Sequence, residues 1–355
     1  MMDLNKVMEQ FEIEAKLKPY GNGHINDTYC IETSKCILQR INTTIFTDPE
    51  KLMENIENVT SFLRSKITQA GGNPNRETLT VVKTKDGKNC YRYDDENVFR
   101  VYKFIENTKS IEFDKTYENL CHAGIGFGRF QKMLADFPVD KLHETIADFH
   151  HTPKRVEALK QAIAEDRVGR KALAEAEIRF ALDSALFADT VIDKLEKGDI
   201  PYRVTHNDTK INNILFDEKT GEAVCVIDLD TVMPGSALYD FGDALRMGAS
   251  TAAEDEVDLD KVRFDTAAFK AFTKGYLSEM KDSLVSDEFA LLPFAVKLMT
   301  YESGIRFLTD YLNGDTYFKI HREHHNLERA RNQFKLVADI ESKESELQKI
   351  CMQMM

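Results

Sequence analysis

The segment that most constrains this chain is His206-Asn207-Asp208-Thr209-Lys210-Ile211-Asn212-Asn213. It has the form H-x-D-x-x-x-x-N and leads into two β-rich runs, NNILFD and EAVCVIDLD. The second run carries Asp228, twenty residues after Asp208. A β-hairpin from Asn213 to Asp228 brings an amide and a carboxylate to one end of a short loop. Alone, a D-x-x-x-x-N spacing is most often a turn or a helix cap. The whole array is more specific, because it supplies together the groups that phosphoryl transfer requires. One carboxylate holds the acceptor hydroxyl and takes its proton. An Asn carbonyl and a second carboxylate suit Mg2+, a hard cation that arrives with a nucleoside triphosphate. On this reading Asp208 is the catalytic base, and Lys210 stabilises charge on the transferring group. Asn213 and Asp228 are the metal ligands, with Asp230 adding a metal or outer contact. His206 reads as structural, packed beneath the loop.

The flanking sequence divides unevenly. Residues 1–105 favour strands and turns, with one helix over FTDPEKLMENIENVTSFLRSKI that Asp48 caps and Pro49 opens. Residues 106–355 are mainly helical, with the strand pair around 213–228 as an insert in their centre. The expected fold is therefore α+β, a small antiparallel sheet lobe followed by a larger helical lobe. In the first lobe, Gly21 and Gly23 of YGNGHIND permit a tight turn whose backbone N–H groups can cover phosphates. Arg40 in CILQR is the expected cation over the α- and β-phosphates. Its partner carboxylate is Glu57, or Glu54. Strand alternation puts Gln39 and Arg40 on opposite faces, and the sequence does not choose between them. Tyr102 and Phe104 lie in VYKFI, which ends the small sheet and passes to the helical body as an extended linker with free backbone groups for an adenine edge. Downstream, Asp240, Arg306 and Tyr317 are the candidate acceptor-substrate residues, although Asp240 and Asp243 read equally well as helix caps.

Other patterns carry less. GIGFG at 124–128 follows no predicted strand and reads as close helix packing rather than a dinucleotide turn. His321, His324 and His325 open a helix without a nearby cysteine, and His150-His151 reads as structural. The net charge of −13 argues against nucleic acid and anionic membrane as partners, but not against ATP. Six cysteines without a CxxC pair, and no long apolar run, point to a reducing, cytoplasmic setting. Nothing demands a partner chain, so a monomer is the simplest expectation.

Together, PYGNGHINDTY, ILQRINTTIF, VYKFIE, IADFHHTPKR, RVTHNDTKINNIL, VIDLDTVMPGS and DFGD resemble the aminoglycoside phosphotransferase and choline kinase superfamily. Within it the chain looks most like the N-acetylhexosamine 1-kinases, over nearly its whole length. The resemblance implies a protein-kinase-like fold. It also implies ATP- and Mg2+-dependent phosphorylation of the anomeric hydroxyl of GlcNAc or GalNAc. The family motif maps onto His206, Asp208 and Asn213, its metal aspartate onto Asp228, and its acceptor side onto Arg306 and Tyr317. The Gln39-Arg40 pair departs from the usual basic residue of the third strand. Kinases of the same fold acting on aminoglycosides, choline or homoserine are the nearest rivals. A catalytically dead module is disfavoured by the presence of Asp208, Asn213 and Asp228 together. A protein kinase is disfavoured by DTVMPGS after Asp228, where an activation segment would be needed.

Overall fold

The computed structural model describes residues 3–13, 17–20, 26–111 and 115–354. Gly21 and Gly23 lie outside these residues. The chain forms two compact units. The first comprises Met1–Ile111, Met133–Ala147 and Asn213–Pro234; the second comprises Glu112–Lys132, Asp148–Asn212 and Gly235–Met355. Neither is one continuous stretch. The expected division at 105 falls six residues early, and two later segments return to the first unit.

The first unit is built on a six-stranded antiparallel sheet. Helix α1 (Leu4–Gln10) precedes strands β1 (Leu17–Pro19), β2 (Asp27–Ile31) and β3 (Cys36–Asn42). Helix α2 (Pro49–Gln69) and the short α3 (Pro74–Glu77) come next, then β4 (Val81–Val82), β5 (Tyr91–Arg92) and β6 (Asn97–Lys103). The order is β1-β2-β3-β6-β4, with β5 also on β6. Register fixes the faces: Leu38 pairs with Val101, Gln39 with Arg100 and Arg40 with Phe99. Leu38, Phe99 and Val101 form one apolar face against Val7 and Met8 of α1 and Phe11 just beyond it. Gln39 and Arg100 lie on the opposite face, where Met53 of α2 approaches Arg100.

Helix α2 forms where the capping signals place it. The Asp48 side chain accepts from Lys51 N, and Leu52, Met53, Ile56, Val59, Leu63 and Ile67 are all buried. Asn55 explains why the later segments return to this unit. Fully buried in α2, it donates to the carbonyls of His143 (2.8 Å) and Val232 (3.1 Å) and accepts from His143 N (2.8 Å). Strand β7 (Thr108–Ser110) pairs with β9 (Ile214–Asp217), which forms a hairpin with β10 (Ala223–Val226); β8 (Arg203–Thr205) belongs to the second unit. The strand insert expected within the helical body is thus part of the sheet unit.

The second unit is helical. It contains α4 (Tyr117–Met133, less its last residue), α5 (Thr152–Glu165), α6 (Glu175–Asp183), α7 (Thr190–Lys197) and α8 (Ala237–Gly248). Then follow α9 (Thr266–Met280), α10 (Ser286–Ala290), α11 (Leu292–Leu312), α12 (His325–Ser342) and α13 (Glu344–Met352). GIGFG lies inside α4, where a methyl on Gly124 would overlap the carbonyl oxygen of Phe272 in α9. One on Gly275 would overlap that of Cys121, so these glycines permit close helix contact. Among the described residues no helix is long and apolar enough to cross a membrane.

Candidate active site

In the second unit, β8 is buried throughout and runs directly into the loop bearing Asp208. His206 is fully buried, edge-on to Phe127 (5.9 Å) and Phe130 (6.1 Å) of α4. The loop backbone is gripped from α8. Ser236 caps that helix, and its first turn presents Asp240. Asp240 accepts from His206 N (2.9 Å), Asn207 N (2.8 Å) and Gln131 Nε2 (2.7 Å). Gln131 is itself fixed by the Tyr276 hydroxyl at 2.5 Å. Asp243, three residues on, accepts from Thr209 N (2.9 Å) and pairs with Arg246 (3.2 Å). These bonds hold Asn207 in the left-handed region at φ 64°.

Asp240 is therefore not available as the substrate contact expected of it. It is 2% exposed, and both its oxygens face groups of its own unit. Burial raises its pKa above the ordinary carboxylate value, opposed by His206 and the loop N–H groups. A second anchor comes from α11. His150 Nδ1 lies 2.6 Å from the buried Glu302, and its Nε2 lies 3.3 Å from the Asn207 carbonyl oxygen. Thr152 also donates to Glu302, at 2.6 Å.

Asp208 itself is half-buried, and Lys210 Nζ meets its Oδ1 at 2.7 Å. Burial disfavours the ammonium, but the Asp208 charge and hydrogen bond outweigh it and raise the Lys210 pKa. A cation against a carboxylate favours its ionised form.

In the first unit, Asn213 and Asp228 flank one end of the β9–β10 hairpin. Val226 pairs with Ile214, and Ile227 N donates to the Asn213 carbonyl at 2.9 Å. Asp228 is exposed, in the left-handed conformation (φ 59°, ψ 56°), and opens the 3-10 turn Leu229–Thr231. Asp230 in that turn is bound by Arg100, whose Nη2 lies 2.9 Å from Oδ2 while Nη1 contacts Oδ1. It is committed to that cation and is not a metal ligand as the chain stands.

The phosphate-side expectations change. Arg40 pairs with Asp27 (2.5 Å) and Asn97 (3.1 Å), on the sheet face away from α2. Glu57 pairs with Lys83 (2.9 Å), and Glu54 with His143 (2.9 Å). Among the described residues Arg40 pairs with neither Glu57 nor Glu54, because successive strand residues point to opposite faces and α2 packs on the Gln39 side. Tyr102 is 6% exposed, stacks near Arg100 (5.2 Å) and sits within the sheet, paired with Ile37 and Val81. Its side chain is interior, within the last long strand of the sheet. Phe104 lies beyond the strand; its N donates to Lys35 O (2.8 Å), and its ring meets Tyr20 (6.1 Å).

Comparison with known proteins then decides the family. The model of the phosphotransferase enzyme family, APH, matches residues 16–274. This chain belongs to that family. A microcompartment-associated aminopropanol kinase is 17% identical, with a TM-score of 0.60 and 97% of each chain covered. An aminoglycoside phosphotransferase from Alicyclobacillus acidocaldarius subsp. acidocaldarius DSM 446 is 13% identical, with a TM-score of 0.63; the match covers 100% of this chain and 97% of that one. An amicoumacin kinase solved with AMP-PNP, Ca2+ and Ami is 16% identical, with a TM-score of 0.58, covering 96% and 92%. The kinase-like α+β fold expected from the sequence is the fold observed.

Two further features of this phosphotransferase bear on its site. Arg306 contacts the rings of Phe149 (5.4 Å), Tyr317 (5.9 Å) and Phe318 (5.6 Å), so the structure brings Arg306 and Tyr317 together. The buried Asp310 positions that loop by accepting from Thr316 N, Tyr317 N and Phe318 N. Of the histidines in 321–325, His325 lies 3.0 Å from Asp255, and His324 lies 2.9 Å from the Tyr311 hydroxyl. Among the described residues no group of three or more His, Cys, Asp or Glu could hold a metal by itself. Asn213 and Asp228 still offer the hard oxygen donors that Mg2+ takes when phosphates complete its shell.

The sequence reading does not single out Arg100, Asn26 or Glu302, while His150, read as structural, is an anchor of the Asp208 loop. The signal for Arg100 was a lone charge inside the β-rich run NVFRVYK, and for Glu302 a lone acid in an apolar stretch of α11. A charge in such a setting is buried only if paired.

Proposed function

We propose that this phosphotransferase is an ATP-dependent small-molecule kinase. Its acceptor is the anomeric hydroxyl of an N-acetylhexosamine, GlcNAc or GalNAc, and its products are the sugar 1-phosphate and ADP. The observation that carries the reaction class is the Asp208 loop, its peptide N–H groups bound by the buried Asp240 and Asp243. A carboxylate on a backbone so fixed needs little reorganisation before it accepts a proton. Asp208 would orient the acceptor hydroxyl and draw off its proton as the phosphoryl group arrives. Lys210 would counter the charge on that group. Asn213 and Asp228 would hold Mg2+, which when bound offsets the charge of the β- and γ-phosphates.

The acceptor assignment is supported by Arg306 and Tyr317. They meet beside Phe149, the neighbour of His150 that reaches the Asp208 loop. A ringed guanidinium and a phenol suit a neutral sugar with several hydroxyls and an amide. The six cysteines are all free thiols, which supports a cytoplasmic setting. The test is ADP release with Mg-ATP across amino sugars, hexoses, choline, homoserine, small amino alcohols and aminoglycosides, with the product's phosphorylated position assigned by NMR. Turnover confined to N-acetylhexosamines at the 1-hydroxyl is expected. Turnover of an amino alcohol or antibiotic without amino-sugar turnover would overturn the acceptor assignment and leave the reaction class standing.

A further inference from the structure

Three parts of the first unit meet at the carboxylate of Asp230. Arg100 lies mid-strand in β6 with its side chain 1% exposed. Its terminal nitrogens face Asp230, and its Nε donates to Gln39 Oε1 at 3.0 Å. A guanidinium so enclosed works within the protein and not on a ligand. Asn26 closes the GNGHIN stretch; its Nδ2 donates to Asp230 Oδ2 at 2.6 Å, and its Oδ1 accepts from Asn42 N at 3.0 Å. Asp230 is two residues from Asp228, within the turn that Asp228 opens at φ 59°. A non-glycine residue keeps that conformation only where its surroundings hold it.

We propose that Asp230 is a positioning residue which, clamped by Arg100 and Asn26, fixes the turn that presents Asp228 and thereby sets the affinity for a divalent cation. The inference rests on Asp228 being a metal ligand. It gives Arg100 and Asn26 a role that neither the family match nor the motif spacing assigns. The clamp also ties the metal aspartate to the segment entering β2, so a disturbance at Asn26 reaches Asp228 through one carboxylate.

The test is Mn2+ binding to the full-length chain saturated with ADP, whose phosphates complete the metal shell, followed by the electron paramagnetic resonance of free Mn2+, with thermal melting in parallel. Asp228→Ala is the reference and should abolish the tightest site. Asn26→Ala removes two hydrogen bonds, to Asp230 Oδ2 and from Asn42 N, but leaves the buried ion pair intact and should melt near the unsubstituted protein. Arg100→Met alone leaves Asp230 buried without its cation, so the paired variant Arg100→Met/Asp230→Met is used beside it. Both Asn26→Ala and the paired variant should weaken Mn2+ binding by about 10-fold or more, as loss of groups supporting a metal ligand does. Affinity for metal-free ADP should stay unchanged. Unchanged Mn2+ affinity in folded Asn26→Ala would overturn the proposal, whatever the paired variant does. If the unsubstituted chain shows no Mn2+ site that depends on Asp228, the reading of Asp228 fails and this inference fails with it.

Discussion

The loop bearing Asp208 and the turn bearing Asp228 are both held in unusual backbone conformations, by opposite chemistry. In the second unit, carboxylates on α8 accept N–H bonds from the loop, and the charge lies beneath the backbone. In the first unit, a strand guanidinium binds a carboxylate within the turn, and the charges neutralise each other. The loop anchor is spread over several hydrogen bonds, to two carboxylates of α8 and through His150 to Glu302 of α11. The turn anchor depends on one buried ion pair. Losing part of the first should degrade geometry gradually, whereas losing one partner of the second leaves an uncompensated charge.

The sharpest separation between the two comes from Asp208→Asn. It should lower kcat by about 100- to 10,000-fold, the range for loss of a general base, with nucleotide and Mn2+ binding retained. Near-normal turnover would remove Asp208 from the chemistry. Next, Arg100→Met should destabilise the protein by about 3–5 kcal/mol in urea denaturation, and adding Asp230→Met should restore most of that. Failure of the second substitution to restore stability would show that the ion pair is not the anchor of the turn.

Gly275→Ala probes the loop side, because α9 packs on the α4 helix that carries Phe127, Phe130 and Gln131. Overpacking there should cost about 1–3 kcal/mol and reduce kcat while leaving Mn2+ affinity unaltered. A change confined to Mn2+ affinity would contradict the separate anchoring of loop and turn.

Acid titration distinguishes the anchors further. Burial pushes the Glu302 carboxyl up, but the His150 charge and hydrogen bond, Arg306 and Thr152 outweigh it and lower its pKa below 4.5. Its folded value is depressed, so its stabilisation is present above about pH 4.5 and is lost as pH falls through the folded value. Glu302→Gln should therefore flatten the stability–pH slope below about pH 4.5, by up to one proton. The smallest effect is expected for Arg40→Ala. Its pair with Asp27 is roughly half exposed, and the loss should be about 1 kcal/mol or less, shrinking with salt. A large loss of nucleotide affinity in that variant would restore Arg40 to the phosphate side.

How far the chain was legible differs by residue. Helix α2 was readable because its cap, opening proline and apolar spacing are local signals. Arg40 was misplaced because strand period alone does not say which face a neighbouring helix covers. Asp240 was ambiguous because an acid in a helix's first turn looks the same whether it faces a ligand or another loop's backbone. The β9–β10 hairpin is legible as a hairpin, but its place in the sheet unit is not, since its pairing with β7 joins residues about a hundred positions apart.

By itself, then, the sequence determined the residue types and spacing of a phosphoryl-transfer motif, the α+β class, and the helices whose caps and periods are local. The tertiary structure decided what each charge does. It turned Gln39 rather than Arg40 toward α2, enclosed Arg100 on Asp230, and turned Asp240 onto the Asp208 loop. The physical reason is that local preferences act within a few residues, whereas the partner of a buried charge is set by packing between segments far apart in the chain. Asp208 could be picked out by its neighbours in sequence; the groups that hold its loop could be found only by their neighbours in space.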